Sequence, residues 1–151
     1  MVRPHLEYGN MIWGPFYRDD IKKIEAVQRR ATKLINGIKE KTYEERLQLL
    51  GLPSLVYRRK RGDMIWMYKI MNKLVRLDPA KLFIPAKLEQ TRGHSQKVFK
   101  IHAVKIARIN SFSQRTVNDW NNLSNYVVET PTLNTFKNRL DIYWQNLITS
   151  R

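Results

Sequence analysis

The sequence predicts a mainly α-helical fold: a helical bundle, then a basic loop with a short β-ribbon, then two further helices. Three observations lead there. Asp19–Ile38 places Ile21, Ile24, Val27, Ala31, Leu34, Ile35 and Ile38 at helical spacing, in one broad apolar stripe. Thr42 and Glu45 stand three apart ahead of an apolar run, the pattern of a capping box. Near the end of the chain, Leu133, Phe136, Leu140, Tyr143, Trp144 and Leu147 recur mainly at intervals of three and four. Hydrophobic residues make up 42% of the 151, enough for a core.

Residues 1–14 read as a short helix opened by Pro4 and ended by Gly14-Pro15. The next helix runs to Ile38, with Asp19 and Asp20 as N-cap and favourable charge at the positive end of the helix dipole and Gly37 marking its end. Lys22, Arg29 and Lys33 fall opposite the apolar stripe, with Lys23 and Arg30 on the flank. A solvated amphipathic helix and a phosphate-binding face both fit that pattern.

Thr42–Leu50 is a second amphipathic helix, stopped by Gly51-Leu52-Pro53. Ser54 can cap a third, reaching about Leu77 with Tyr57, Met64, Ile65, Met67, Tyr68, Met71, Leu74 and Val75 on its apolar side. Arg58, Arg59, Lys60 and Arg61 lie in its first half. Four consecutive cations point all round a helix, so at least one must snorkel or meet a partner. A solvated, nuclear-localisation-like block and a phosphate contact remain alternatives.

Asp78-Pro79 and Ile84-Pro85 punctuate a loop, and the chain divides there into residues 1–77 and 78–151. From 87 to 115, Lys87, Arg92, Lys97, Lys100, Lys105, Arg108 and Arg115 face Glu89 as the one acid. Thr91–Ser95 reads as an exposed loop. Lys97–His102 alternates basic and apolar residues, a half-buried strand that Val104–Ile109 pairs with as a ribbon. Ser111 or Ser113 opens a helix with Val117, Trp120 and Leu123 in a stripe, and Thr132–Ile148 is the terminal helix. Trp120 and Trp144 are read as core.

The chain carries 28 Lys and Arg against 13 Asp and Glu, a net charge of +15. Such a balance attracts polyanions and repels cationic partners. With no long apolar run, nothing is expected to span a membrane, and Glu7 and Asn10 interrupt any signal-peptide core, so a nuclear or cytoplasmic rather than secreted protein is expected. The absence of cysteine excludes disulfides and cysteine-ligated zinc. His94 and His102 lack nearby carboxylate pairs and make a poor metal site. Tyr17-Arg18-Asp19-Asp20 matches Y-x-D-D, the Mg²⁺-binding turn of reverse transcriptases, but a helix follows at once and only Glu7 lies upstream as a further carboxylate. The helix-start reading prevails, and no catalytic or metal-binding residue is assigned.

Six blocks, in order, are similar to a known family: Val2–Trp13, Ile21–Ile35, Leu55–Val75, Thr91–Lys97, Ser111–Val128 and Thr132–Trp144. They resemble the region downstream of the palm in jockey-type, LINE-like non-LTR retrotransposon reverse transcriptases. The resemblance implies that residues 1–77 correspond to late thumb helices and 78–151 to the C-terminal extension. It implies a fragment of an RNA-directed DNA polymerase whose palm, with its Mg²⁺ ligands, and whose endonuclease lie upstream and are its partners. The chain itself would then bind RNA, an RNA–DNA hybrid or duplex DNA without chemistry or cofactor. Lys22, Lys23, Arg29, Arg30, Lys33, Arg58, Arg59, Lys60, Arg61, Arg92, Lys97, Lys100, Lys105 and Arg115 are the candidate contacts. Loss of an upstream thumb helix would leave an apolar patch exposed on the first two helices. Gly62 departs from the helix-favouring residue expected inside the third helix. A free-standing or decayed structural or protein-interaction domain is the rival reading.

Overall fold

The computed structural model describes residues 9–86 and 93–149. Among them the fold is mainly helical: eight helices and one two-stranded antiparallel sheet. The helices are α1 (Arg18–Lys33), α2 (Tyr43–Leu49), α3 (Leu55–Met71), α4 (Pro79–Leu82), α5 (Ile106–Ile109), α6 (Phe112–Asn121), α7 (Asn125–Val128) and α8 (Leu133–Thr149). The strands are β1 (Ile84–Pro85) and β2 (Val98–Phe99). The chain forms two compact units, Met1–Gly62 and Asp63–Arg151. Their division falls inside α3, so the boundary expected at 78 lies within the second unit.

In the first unit, most of the helix expected before Gly14 lies outside the described residues. Its end is a single turn at Gly9, whose carbonyl accepts from the Ile12 and Trp13 amides at 2.8 and 3.0 Å. α1 starts after an extended Tyr17 that makes no side-chain cap, so Asp19 and Asp20 sit in the first turn rather than capping it. There they pair with Lys22 at 4.0 Å and Lys23 at 3.2 Å, and their charge still suits the helix dipole. α1 ends at Lys33, with Leu34 as C-cap, a turn before the expected Gly37. Gly37 instead serves the following turn, at φ +84°.

The capping box of α2 is complete: the Glu45 amide donates to Thr42 Oγ1 at 3.3 Å, and the Thr42 amide donates to Glu45 Oε2 at 2.8 Å. The Thr42 backbone and hydroxyl donors hold the Glu45 carboxyl below its ordinary pKa. Ser54 Oγ accepts from the Tyr57 amide at 3.2 Å, as expected of a cap for α3. Gly62 leaves room for Asn10, whose amide reaches the Arg59 carbonyl at 3.0 Å; a Cβ at Gly62 would stand 3.3 Å from that nitrogen.

α3 stops at Met71, short of Leu77. Lys73 adopts φ +55°, and the Leu74 amide reaches back to the Lys69 carbonyl at 2.8 Å, a left-handed helix termination that needs no glycine. In the second unit, Met64, Met67, Tyr68 and Ile70 are buried, as are Val98, Val117, Trp120, Val127, Phe136 and Leu140. Tyr68 stacks on Phe136 with ring centroids 4.3 Å apart, and its hydroxyl donates to the Thr130 carbonyl at 2.8 Å.

The ribbon is shorter than expected and pairs differently. β2 keeps Val98–Phe99 from the Lys97–His102 stretch, and its partner is Ile84–Pro85, not Val104–Ile109. Ile106–Ile109 coils instead into the short helix α5. Asn121 explains part of the arrangement: its side-chain amide accepts from the Val98 amide at 3.0 Å and donates to the Val98 carbonyl at 2.8 Å. Those bonds satisfy the backbone groups that a further strand would otherwise pair.

Candidate nucleic-acid interface

α1 decides what the first unit can present. At about 100° per residue, Ile21, Glu25, Gln28 and Thr32 fall within one sector of roughly 60°. That sector packs inward, and its most buried members are Gln28 and Thr32. The inward contacts are polar. Gln28 Nε2 donates to the Pro53 carbonyl at 3.1 Å, and Arg46 Nε donates to Thr32 Oγ1 at 3.3 Å. Glu25 accepts from the Leu55 amide at 3.3 and 3.2 Å through its two oxygens, and from the Tyr43 hydroxyl. Glu25 thus supplies the negative end at the start of α3. Burial, together with this hydrogen bond and the Glu25 charge, pushes the Tyr43 phenol well above its ordinary pKa.

The apolar stripe of α1 is centred roughly 80° away from that inward sector. Its flank therefore meets solvent: Leu34 is 84% exposed, and Val27 and Ile35 are also exposed. Ile12, Trp13, Phe16, Tyr17, Leu49 and Val56 of the first unit are exposed as well.

On the other side of the inward sector lie Lys22, Arg29 and Lys33, all exposed, within roughly 40° of one another. Along the axis they span roughly 16 Å at 1.5 Å per residue. Arg18 continues the row at its N-terminal end and is also exposed. It precedes the first apolar residue of the stripe, and only its four-residue offset from Lys22 marks it in the sequence. Lys23 and Arg30 lie between the row and the apolar flank and are exposed. Arg29 stacks over the Tyr43 ring, 4.9 Å from its centroid, which orients the guanidinium while leaving its charge in place.

The Arg58–Arg61 block is graded. Lys60 is exposed, and Arg58, Arg59 and Arg61 are half-buried. Arg59 lies over Trp13, 5.9 Å from the ring centroid. One further cation, Arg46, is 5% exposed and donates to the Lys41 carbonyl as well as to Thr32. Nothing in the spacing of α2 distinguished it from a surface arginine.

In the second unit, Lys100 and Lys105 are exposed, as is Arg108. Lys97 is half-buried and lies across Gly93, where an added Cβ would come within 2.7 Å of its Cε. Arg92 lies outside the described residues. Arg115 departs from its assigned role. Its Nε and Nη2 donate to the two carboxylate oxygens of Asp63 at 2.9 and 3.0 Å, and its Nη1 donates to the Asn110 carbonyl at 3.2 Å. The guanidinium is occupied within the fold, tying α6 to α3.

His94 is 1% exposed and edge-on to Trp120. Its Nε2 lies 3.0 Å from the Trp120 carbonyl, which makes Nε2 the protonated nitrogen. Burial lowers its pKa below the ordinary value, as does Lys97; the hydrogen bond and the Glu129 charge act the other way. Among the described residues no group of three or more His, Asp or Glu side chains is placed to hold a metal ion, and no helix is long and apolar enough to cross a membrane. Tyr17–Asp20 forms the start of α1 rather than a turn between strands.

No protein family, curated protein or solved structure matches the chain.

Proposed function

We propose that the chain is a non-catalytic nucleic-acid-binding module that lays Lys22, Arg29 and Lys33 of α1 along the phosphates of template RNA or a primer–template hybrid. The observation that carries the reading is this exposed row of cations on a helix whose inward face is fixed by Glu25, Gln28 and Thr32. Basic side chains held on a rigid helix suit backbone contact without base readout. The net charge of +15 supplies long-range attraction to such a partner. The likeness of the six sequence blocks to the late thumb and C-terminal extension of non-LTR reverse transcriptases supports the same role. In that setting the polymerase chemistry and its Mg²⁺ belong to upstream domains.

The test is anisotropy-detected binding of a labelled RNA–DNA hybrid, and of duplex DNA, over a salt series. Each phosphate contact contributes a slope of about 0.9 in log K against log salt on duplex DNA. Replacing Lys22, Arg29 and Lys33 together by Ala is expected to weaken binding to both probes and to flatten the duplex slope by roughly two to three. No binding at low salt by the folded chain would exclude the proposal. The exposed apolar flank of α1, with Leu34 at its end, would then favour a protein-interaction domain.

A further inference from the structure

The second unit contains a cavity of about 360 Å³ lined by Lys100, Ile101, His102, Ala103, Ile109 and Gln114. Its walls are mainly apolar, from Ile101, Ala103 and Ile109, while Lys100 and His102 are exposed. An apolar cavity of about 150 Å³ is enough to hold a benzene ring, so this one has room for a bulky aliphatic or aromatic side chain. The apolar surface continues beyond it. Ile106 and Ile109 stand three apart in α5, on the same side of its turn, and are 57% and 43% exposed. Val104, just ahead of the helix, is 80% exposed. At about 100° per residue, Lys105 and Arg108 fall beside Ile109 on the side away from Ile106, and both are exposed. From Lys97 to Asn118 the sequence holds no Asp or Glu. Among the described residues no carboxylate pairs with Lys100, Lys105 or Arg108.

We propose that this surface docks an acidic segment of a partner protein. A bulky apolar side chain of the segment fills the cavity, and flanking Asp or Glu side chains meet Lys100, Lys105 and Arg108. The inference goes beyond nucleic-acid binding and does not rest on it, since α1 takes no part. Exposed apolar surface rimmed by polar groups marks an interaction site, and the chemistry of this one selects the occupant. A nucleic-acid backbone would use the cations and leave the cavity and the exposed aliphatic side chains in water. A small amphipathic anion would fill the cavity and leave Val104 and Ile106 uncovered. A bilayer surface is flat and sends no side chain into a cavity. A second copy of the chain brings the same net charge of +15 and is repelled. An apolar anchor flanked by carboxylates complements both parts of the surface. Burial of the anchor supplies affinity, and the opposite charges supply orientation and a faster encounter. Lys100 and Lys105 then face carboxylates rather than phosphates.

The test uses the full chain. Random peptides displayed on phage are selected against it, and the selected sequences are expected to carry a Leu, Phe or Trp flanked by Asp or Glu. One selected peptide is then labelled and titrated by anisotropy beside the same peptide with its apolar anchor replaced by Ser. Loss of the anchor is expected to weaken binding about ten-fold or more, the worth of one buried apolar side chain. Ile109→Ser should weaken the anchored peptide by a similar factor and leave the Ser form unchanged. Lys100→Glu combined with Lys105→Glu should weaken both forms. Ile109, Lys100 and Lys105 are all exposed, so these variants keep the fold. The methyl resonances of Ile101 and Ile109 should shift with the anchored peptide and not with the Ser form. Selection of no acidic peptides, or equal binding of the anchored and Ser forms, would overturn the proposal. Displacement of the peptide by an oligonucleotide together with such equal binding would make the patch an ionic phosphate face. Binding of phosphatidylserine vesicles in place of any peptide would overturn it equally. Each of these results leaves the Lys22, Arg29 and Lys33 experiment standing on its own.

Discussion

Arg115 is the candidate contact that the fold treats differently from the rest, and its substitution separates structural from binding cations. Arg115 and Asp63 meet through two parallel N–H···O bonds at 2.9 and 3.0 Å, with side chains 21% and 11% exposed. A bidentate pair this sheltered is screened far less than a surface pair. Removing one partner of a fully buried pair costs about 3–5 kcal/mol. The residual exposure here lowers that to roughly 2–4 kcal/mol. For a chain of this size, roughly 2–4 °C of melting temperature goes with each kcal/mol. Arg115→Leu is therefore expected to lower the midpoint by about 4–16 °C. Asp63→Asn should cost less, because the amide still accepts one bond. The double variant should be less destabilised than the two single losses added together. Urea denaturation followed by circular dichroism gives all three energies, and the salt series on the same proteins gives the binding slope. The slope of Arg115→Leu should match the parent. A loss under about 1 kcal/mol with strictly additive variants would refute the structural assignment.

Three further outcomes are expected. The lowered pKa of buried His94 means that the unfolded chain binds the extra proton first. Stability should therefore be fully present above about pH 6.5 and fall as pH drops below it, and urea midpoints measured across that range in parent and His94→Gln proteins check the sign. The Tyr43 phenol is raised above its ordinary value by burial and by Glu25, so the folded state keeps a proton that the unfolded state loses near pH 10. Stability should fall as pH rises past that point, and phenolate absorbance should show one tyrosine resisting titration until unfolding, with Glu25→Gln easing it. Leu34 is 84% exposed, so Leu34→Ala is expected to change stability by less than about 0.5 kcal/mol. A buried position in the apolar stripe would lose about 2–5 kcal/mol, which thermal denaturation resolves easily.

Much of the fold was legible because local chemistry settles it. Thr42 and Glu45 make their capping box wherever the rest of the chain lies, and the 3–4 spacing from Leu133 to Leu147 leaves a helix as the economical way to bury Phe136 and Leu140. The ribbon's pairing is not legible in the sequence because strand pairing depends on partners distant in sequence. Val98 alternates correctly, but its neighbour is set by Asn121, whose amide substitutes for a strand edge, and no period in the sequence shows that. Arg46 and Arg115 look like surface cations because burial of an arginine depends on acceptors elsewhere: Thr32 and the Lys41 carbonyl for one, Asp63 for the other.

The α1 helix shows why a hydrophobic stripe does not by itself locate the inward face. Its periodicity identifies a helix, and the helix is there. Its orientation is set by three polar residues on the stripe's edge. Glu25 and Gln28 meet the start of α3 through the Leu55 amide and the Pro53 carbonyl, and Thr32 meets Arg46. Turning the apolar stripe inward would carry these groups away and leave the Leu55 amide, the Pro53 carbonyl and the buried Arg46 guanidinium without them. A buried unsatisfied polar group costs about 1–3 kcal/mol, whereas burying one further aliphatic side chain returns about 1.5–3 kcal/mol. With three polar connections against Val27 and Leu34, the balance favours the observed rotation. That rotation also carries the sector holding Lys22, Arg29 and Lys33 to one edge of the inward face and the apolar flank to the other, so a single helix presents a row of exposed cations on one side and a separate exposed apolar surface on the other.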